Sequence, residues 1–358
     1  MKINPVRGTH DLFGEEINKF NKVVAEVKNI SQQFGFNELI TPIFESSELF
    51  KKPLGEQSDV VLKEMYTFND RNEDEITLRP EYTTPMIRAA ISNGLLNNLP
   101  AKFFGTGQMF RRERPQAGRL RQFHQFGVES FNQDSFLCDL EVILLAKKIL
   151  RALALDENLE LQLNTLGTFE TRLKYREKLT TFFLKYENDF SPESKIRLKI
   201  NPLRILDSKN EVDKKISKDA PKIIESLDDE SLTFYKNIKE GLNKLKIPYS
   251  VKPNLVRGLD YYVQTTFEFT TKSIDAAQDA IGGGGRYDGL AAEMGAPVTP
   301  GVGFALGLDR TLMACEAEKT FIGPEQLLQV YVVDTTGGEN SLVITDELRQ
   351  KGFKVDRS

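Results

Sequence analysis

The stretch "MFRRERPQAGRLRQFHQFGVE", residues 109–129, holds five arginines, one histidine and two glutamates between apolar ends. The whole chain has a net charge of −4, so this is a local concentration of guanidinium groups. Three further strings set arginine beside glycine or tyrosine: "LVRGLDYY", "GGRYDG" and "GLDR". Arginine presents a planar, always-charged fork that grips phosphate or carboxylate through two hydrogen bonds. Several such forks together stabilise charge developing on a phosphate without a catalytic base. Any one arginine reads equally well as a surface ion pair. Their placement in or beside strands, with glycine and tyrosine neighbours, favours a phosphate-binding pocket.

Other chemistries find little support. "GGGGRYDG" lacks the lysine and hydroxyl residue of a phosphate-binding P-loop, and it does not open a helix in a G-x-G-x-x-G pattern. It reads as a tight turn or a close backbone approach. The chain has no HExxH, no zinc-type Cys/His cluster and no G-x-S-x-G. With only His10 and His124, histidine-based metal sites and triads are disfavoured. Cys138 and Cys315 form neither a CxxC nor a disulfide framework and read as reduced structural thiols.

The elements that must position these residues follow from pattern. The 358 residues suggest about two domains, and 40% hydrophobic with 28% charged residues is ordinary for a globular chain. No apolar run is long enough to span a bilayer, and the N-terminus has no signal-type apolar core. With a pI of about 5.6, any nucleic-acid partner must be held by local patches. Residues 16–35 predict an amphipathic helix ending at Gly35, and 37–50 a strand broken by Pro42. Hairpin strands precede a helix that starts near Thr83–Pro85. "KFFGTGQMFRRER" and "RQFHQFGVESFN" predict two strands around the loop "PQAG", followed by a helix over 135–153 and a strand over 159–167. Residues 168–249 are rich in Lys, Glu and Asp, poor in glycine and helical by pattern, so they read as an inserted helical unit. Beyond them come strand over 250–271, then strand, glycine turn and helix over 279–294, then strand into helix at "PGVGFALGLDR". The last stretch reads strand, helix, start of strand.

Taken together, the strings resemble the class II aminoacyl-tRNA synthetases, in the histidyl-tRNA synthetase form. "FRRERPQAGRLRQFHQFGVE" resembles motif 2, "GVGFALGLDR" motif 3, and the strand around Pro42 motif 1. "LVRGLDYY" and "GGGGRYDGL" resemble the two histidine signature stretches, and "RPEYTTP" the amino-acid-binding segment. The resemblance covers roughly residues 1–358, and the combination with "RGLDYY" is highly specific. It implies an α+β fold: a mixed, mainly antiparallel sheet flanked by helices, with a helical insertion and an incomplete C-terminal α/β domain. The parts would be 1–167 and 250–322 for the catalytic core, 168–249 for the insertion, and 327–358 for the start of an anticodon-binding domain. That last stretch is expected to be poorly ordered or to pack opportunistically.

The resemblance also implies an activity, in a cytoplasmic homodimer with no membrane association. Histidine and ATP, with Mg²⁺ as counter-ion, would give histidyl-adenylate, and the histidyl group would pass to tRNA(His). Arg111 would contact the α-phosphate, and Glu113 would help hold ATP. Arg119 and Arg310 would bind the outer phosphates, with Arg310 also stacking adenine against Phe123. Arg257 would bridge the histidine carboxylate and the α-phosphate. Glu81, Thr83 and Gln125 would hold the α-amino end, and Glu129, Tyr262 and Tyr287 the imidazole. A neutral imidazole has one donor and one acceptor, which a carboxylate and a phenol satisfy. Strand alternation would send Tyr261 to the opposite face from Tyr262, and His124 reads as structural. The competing implication is a synthetase-like regulatory subunit of ATP phosphoribosyltransferase, which binds histidine without charging tRNA. The intact arginine set favours catalysis.

Overall fold

The computed structural model describes residues 3–55, 58, 60–132, 135–256, 259, 261–274, 279–320, 328–335 and 337–358. The chain forms two compact units, Met1–Asp11 with Val23–Phe321 and Leu12–Lys22 with Ile322–Ser358.

Helix α1 (Gly14–Gln33) leads to β1 (Asn37–Glu38) and β2 (Phe44–Ser46), so the segment expected to break at Pro42 does break there. A short α2 (Glu48–Lys51) and a π-helical stretch, Val60–Glu64, precede β3 (Tyr66–Asn69) and β4 (Glu75–Leu78). These strands form a three-stranded antiparallel sheet in the order β2-β4-β3. Helix α3 (Thr83–Ser92) follows, then the long hairpin β5 (Ala101–Phe110) and β6 (Gln122–Phe131). Next come α4 (Phe136–Ala152), β7 (Leu159–Thr165), and a helical stretch of α5 (Phe169–Phe183), α6 (Pro192–Ile200), α7 (Glu211–Lys218) and α8 (Asp229–Lys244). The chain then returns through β8 (Ser250–Val251), β9 (Val263–Thr271), β10 (Ala280–Arg286), α9 (Leu290–Glu293), β11 (Gly301–Gly307) and α10 (Leu308–Glu318).

The principal sheet has eight strands in the order β1-β5-β6-β11-β10-β9-β7-β8. Its two outermost pairs are parallel and the others antiparallel, which is the mixed, mainly antiparallel sheet expected. Side chains alternate between its faces. One face carries Phe104, Phe126 and Phe304, whose rings interlock at centroid separations of 6.3 and 5.8 Å. The registers Phe103↔Glu129, Gly107↔Gln125 and Glu129↔Gly303 put Phe123, Gln125 and Glu129 on the other face.

The helical stretch is set by its caps. Thr168, Ser191, Asn210 and Asp228 each accept amide hydrogen bonds at the start of α5, α6, α7 and α8. Tyr175, Leu179, Phe183, Phe190, Leu198 and Ile205 form the buried side of these helices.

Three expectations change. Of the two readings of "GGGG", the turn gives way to strand interior, and the close backbone approach is what the fold uses. At Gly284 a Cβ would come within 2.0 Å of the Gly303 carbonyl oxygen, so only glycine lets β10 and β11 approach this closely. Residues 252–262, expected as strand, are not strand among the described residues; β9 begins only at Val263. The segment 327–358, expected to be poorly ordered or to pack opportunistically, carries regular elements among its described residues: β12 (Val330–Val332), α11 (Glu339–Gln350) and β13 (Val355–Arg357), with β12 and β13 paired in parallel. This unit closes its hydrogen bonds locally: the Asp334 carboxylate accepts from the Gly338 and Ser341 amides, and Arg349 donates to the Val355 carbonyl.

Arg286, of the string "GGRYDG", is a strut and not a phosphate ligand. It is 1% exposed and donates to Asp139 of α4, to Asp288 and to the Ser135 carbonyl, with its guanidinium 5.0 Å from the Phe234 ring centre. Burial raises the Asp139 carboxyl pKa, and the Arg286 charge opposes that rise. Removing one partner of a buried pair strands the other charge. Asp139→Ala should cost about 3 kcal/mol of stability, read as a lower urea midpoint; an unchanged midpoint would refute the strut.

Candidate active site

The floor of the site is a carboxyl lying flat on the sheet. Glu129 of β6 is 1% exposed, and the Tyr287 hydroxyl donates to its Oε2. Gly303, directly opposite on β11, makes the room: a Cβ there would meet Glu129 Oε2 at 2.0 Å. Gly301 does the same for the Tyr287 ring, at 2.4 Å. Burial drives the Glu129 pKa up to about 8, and hydrogen bonds from Tyr287 and Thr83 only partly offset this. Burial and the Glu129 charge raise Tyr287 well above the ordinary phenol range. The site therefore holds a largely neutral carboxyl at pH 7, bonded to a phenol.

Tyr262 and Tyr261 wall this pocket. Their rings lie 4.5 Å apart, and Tyr261 meets Tyr287 edge-on at 5.7 Å. This corrects the expectation for Tyr261: neither residue belongs to a strand, so alternation does not separate them. Glu81, 3% exposed, accepts from the Thr83 and Thr84 amides at 2.7 and 2.8 Å and from the Thr84 hydroxyl. It thus caps α3, where a carboxylate complements the helix dipole. Thr83 in turn bonds Glu129. Gln125 shares their sheet face, and its Oε1 is buried with no hydrogen-bond partner among the described residues. An orphaned acceptor in a pocket calls for an outside donor.

The arginines gather beside this pocket. Arg111 donates to the Pro80 carbonyl at 2.8 Å, and its guanidinium sits 5.4 Å from the Phe123 ring centre. Arg119 donates to Glu113 and lies 3.8 Å from Glu64. Arg310 donates to the carbonyls of Gly118 and Ala280, at 2.6 and 2.9 Å. Burial lowers the Arg310 pKa, as do the charges of Arg119 and Arg111, while Glu113 opposes them. Glu113 is held below the ordinary carboxylate range: burial works against its charge, but the Arg119 hydrogen bond and the Arg111 charge outweigh it. Glu64 moves the other way, raised by burial and by Glu113. The result is a set of cations balanced by one firmly charged carboxylate.

The structure thus brings together Glu81, Thr83, Gln125, Glu129, Tyr262 and Tyr287, and beside them Arg111, Glu113, Arg119, Phe123 and Arg310. The guanidinium found over Phe123 is that of Arg111. Arg257 lies outside the described residues. Sequence reasoning missed Glu64, which carries no local signal because its partners lie some fifty residues downstream in the chain. It also set aside Tyr261, though the doublet "YY" was in view.

The Glu129 shift has a sign. Its folded pKa is raised, so the stability it contributes is complete below about 4.5 and is lost as pH rises toward about 8. Between these values unfolding should become easier by up to about 1.4 kcal/mol per pH unit. Glu129→Gln should flatten that slope in urea titrations run from pH 5 to 8; an identical slope would rule the assignment out.

Known proteins resemble this chain in sequence and in fold. The family described as histidyl-tRNA synthetase matches residues 8–178 and 193–311. A histidine–tRNA ligase of Rhodospirillum rubrum is 45% identical over 354 residues, covering 99% of this chain and 85% of that protein. The crystal structure of apo Staphylococcus aureus histidyl-tRNA synthetase superposes with a TM-score of 0.81 at 33% identity, covering 100% of this chain and 85% of that one. A Bacillus halodurans protein described as an ATP phosphoribosyltransferase regulatory subunit/histidyl-tRNA synthetase shares the fold, with a TM-score of 0.69 at 18% identity, covering 99% of this chain and 93% of that one. By family match, by near full-length identity and by fold, this chain belongs to the histidyl-tRNA synthetase family.

Proposed function

We propose that this chain is a histidine–tRNA ligase, which joins histidine to ATP as histidyl-adenylate and passes the histidyl group to the 3′ end of tRNA(His). The observation that carries the reading is the buried Glu129–Tyr287 pair sharing a sheet face with Gln125 and Phe123, next to three arginines. The pair suits an imidazole, whose donor and acceptor it can both meet. An amino acid without ring nitrogens would leave those buried groups unpaired and be rejected. The orphaned Gln125 oxygen suits an α-ammonium donor, with the Glu81 carboxylate and Thr83 beside it.

In the first step a histidine carboxylate oxygen attacks the α-phosphorus of ATP. The new bond is O–P, the bond to the β-phosphate oxygen breaks, and pyrophosphate leaves. The nucleophile is already an anion, so charge stabilisation and alignment are what the protein must supply. Arg111 and Arg257 serve the α-phosphate, Arg119 and Arg310 the leaving phosphates, and Phe123 with Arg310 the adenine. A Mg²⁺ ion accompanying ATP would supply neutralisation of the phosphate charge. Glu113 and Glu64 are the hard-oxygen donors that would face such an ion, although Arg111 and Arg119 already compete for their charge. In the second step a terminal ribose hydroxyl of tRNA attacks the acyl carbon and AMP leaves. A cavity of about 370 Å³, lined by Lys52, Phe169, Arg172, Arg176, Asn201 and Tyr261, has the cationic and aromatic character that suits a single-stranded end.

The proposed assembly is a homodimer. Ile40, Ile43, Phe44 and Phe68 are exposed around Pro42, an apolar patch of the kind that marks an interface. Because its substrates are those of translation, the proposed location is the cytoplasm, which cell fractionation tests.

Two measurements check the reading. ATP–pyrophosphate exchange should require histidine, and charging of tRNA(His) should follow. Arg257→Ala should lower exchange by about 10²–10³-fold, the usual loss for one transition-state charge contact. Histidine binding with no exchange would favour the regulatory-subunit reading. Sedimentation should give the mass of two chains, and a species of one chain at micromolar concentration would contradict the dimer.

A further inference from the structure

His124 and Asp309 come from strings far apart in the chain and form a two-point clasp. The Asp309 Oδ2 accepts the His124 backbone amide at 2.6 Å, and its Oδ1 lies 3.2 Å from His124 Nδ1. Both side chains are largely buried, at 16% and 14% exposure. The topology explains why the clasp exists. Strand β11 ends at Gly307, opposite Gln125, and the chain turns into α10. The next amide of β6, at His124, has no strand residue left to receive it on that side, and the carboxylate of Asp309 takes the role. A buried amide left without an acceptor would be costly, so the bond is demanded by the fold.

What the clasp holds is the nucleotide set. Asp309 precedes Arg310, whose guanidinium is anchored to the Gly118 and Ala280 carbonyls. His124 lies between Phe123 and Gln125 in β6. Strand alternation puts the His124 side chain on the face opposite those two residues, so its ring acts from behind the sheet and does not reach a substrate lying over them.

We propose that Asp309 and His124 are positioning residues for ATP: they lock the start of α10 to β6 and so set the spacing between Arg310 and Phe123, the two groups assigned to the adenine. The inference rests on the ligase reading. It gives a role to a histidine that sequence alone leaves as structural. A charge-assisted bond to a backbone amide combines strength with direction, so the clasp fixes position and not merely attachment. Catalytic groups must be held within fractions of an ångström by neighbours of this kind.

The test measures KM for ATP and for histidine in pyrophosphate exchange, with thermal melting in parallel. Asp309→Ala should raise the ATP KM by about tenfold while the histidine KM stays within about twofold. Asp309→Asn keeps an acceptor for the amide and should restore the ATP KM to within about threefold of wild type. His124→Ala removes only the ring contact and should raise the ATP KM by about threefold, which decides the matter if Asp309→Ala proves too unstable to assay. Variants whose ATP and histidine KM values rise together, or do not change, overturn the clasp and leave a purely structural contact. A wild-type chain without histidine-dependent exchange overturns the ligase reading itself, and the wild-type control shows that failure separately.

Discussion

A carboxyl lies buried against a strand because the residue beside it is glycine. That steric permission, Gly303 under Glu129, is the constraint on which the pocket depends. Gly301 makes the same allowance for Tyr287, and Gly285 for Tyr262, where a Cβ would meet the ring at 2.8 Å. Glycine in strand interiors is ordinarily a loss, because it adds backbone entropy and packs nothing. Here the missing side chains are the volume in which the site residues lie. The same device recurs elsewhere on the hairpin: the Tyr82 ring occupies the space over Gly105, and the Arg79 guanidinium that over Gly107. Arg79 then donates to the carbonyls of Thr41, Pro42 and Gln108, pinning the segment around Pro42 to β5.

Buried polar groups are costly unless paired, and the strut and the pocket meet that cost differently. On the helix-covered face, Arg286 and Asp139 pair with each other and are saturated. In the pocket, pairing is incomplete among the described residues. Gln125 keeps an acceptor without a partner, and Glu129 holds a proton it would lose in water. Arg111, Arg119 and Arg310 meet carbonyls and a few carboxylates in place of phosphates. The saturated pair reads as architecture, and the unsaturated groups as a site prepared for charge and hydrogen bonds from outside. This contrast separates arginines that are chemically identical.

Much of this was legible early. The arginine-rich hairpin with its "PQAG" loop, the break at Pro42 and the helix from Thr83 followed local rules of turn and cap chemistry, and the helical stretch was legible from its composition. The strings "RPEYTTP", "RGLDYY" and "GLDR" pointed to residues that the fold does gather, apart from Arg257, which lies outside the described residues. The misses share a cause. "GGGG" read as a turn or a close backbone approach, and only the neighbouring strand at Gly303 decides for the second. Tyr261 was assigned by alternation in a strand that had not yet begun.

The sequence by itself determined that guanidinium forks for phosphate were concentrated in one stretch, and its strings carried the resemblance that implied a carboxyl and phenols for an imidazole. It did so because residue type and short spacing survive without a fold. Tertiary structure alone decided which arginine is a buried strut and which lies beside the pocket, which carboxyl keeps its proton, and that His124 meets Asp309 across 185 positions of chain. Those outcomes depend on burial and on distances between remote segments, and such quantities do not exist until the sheet has closed.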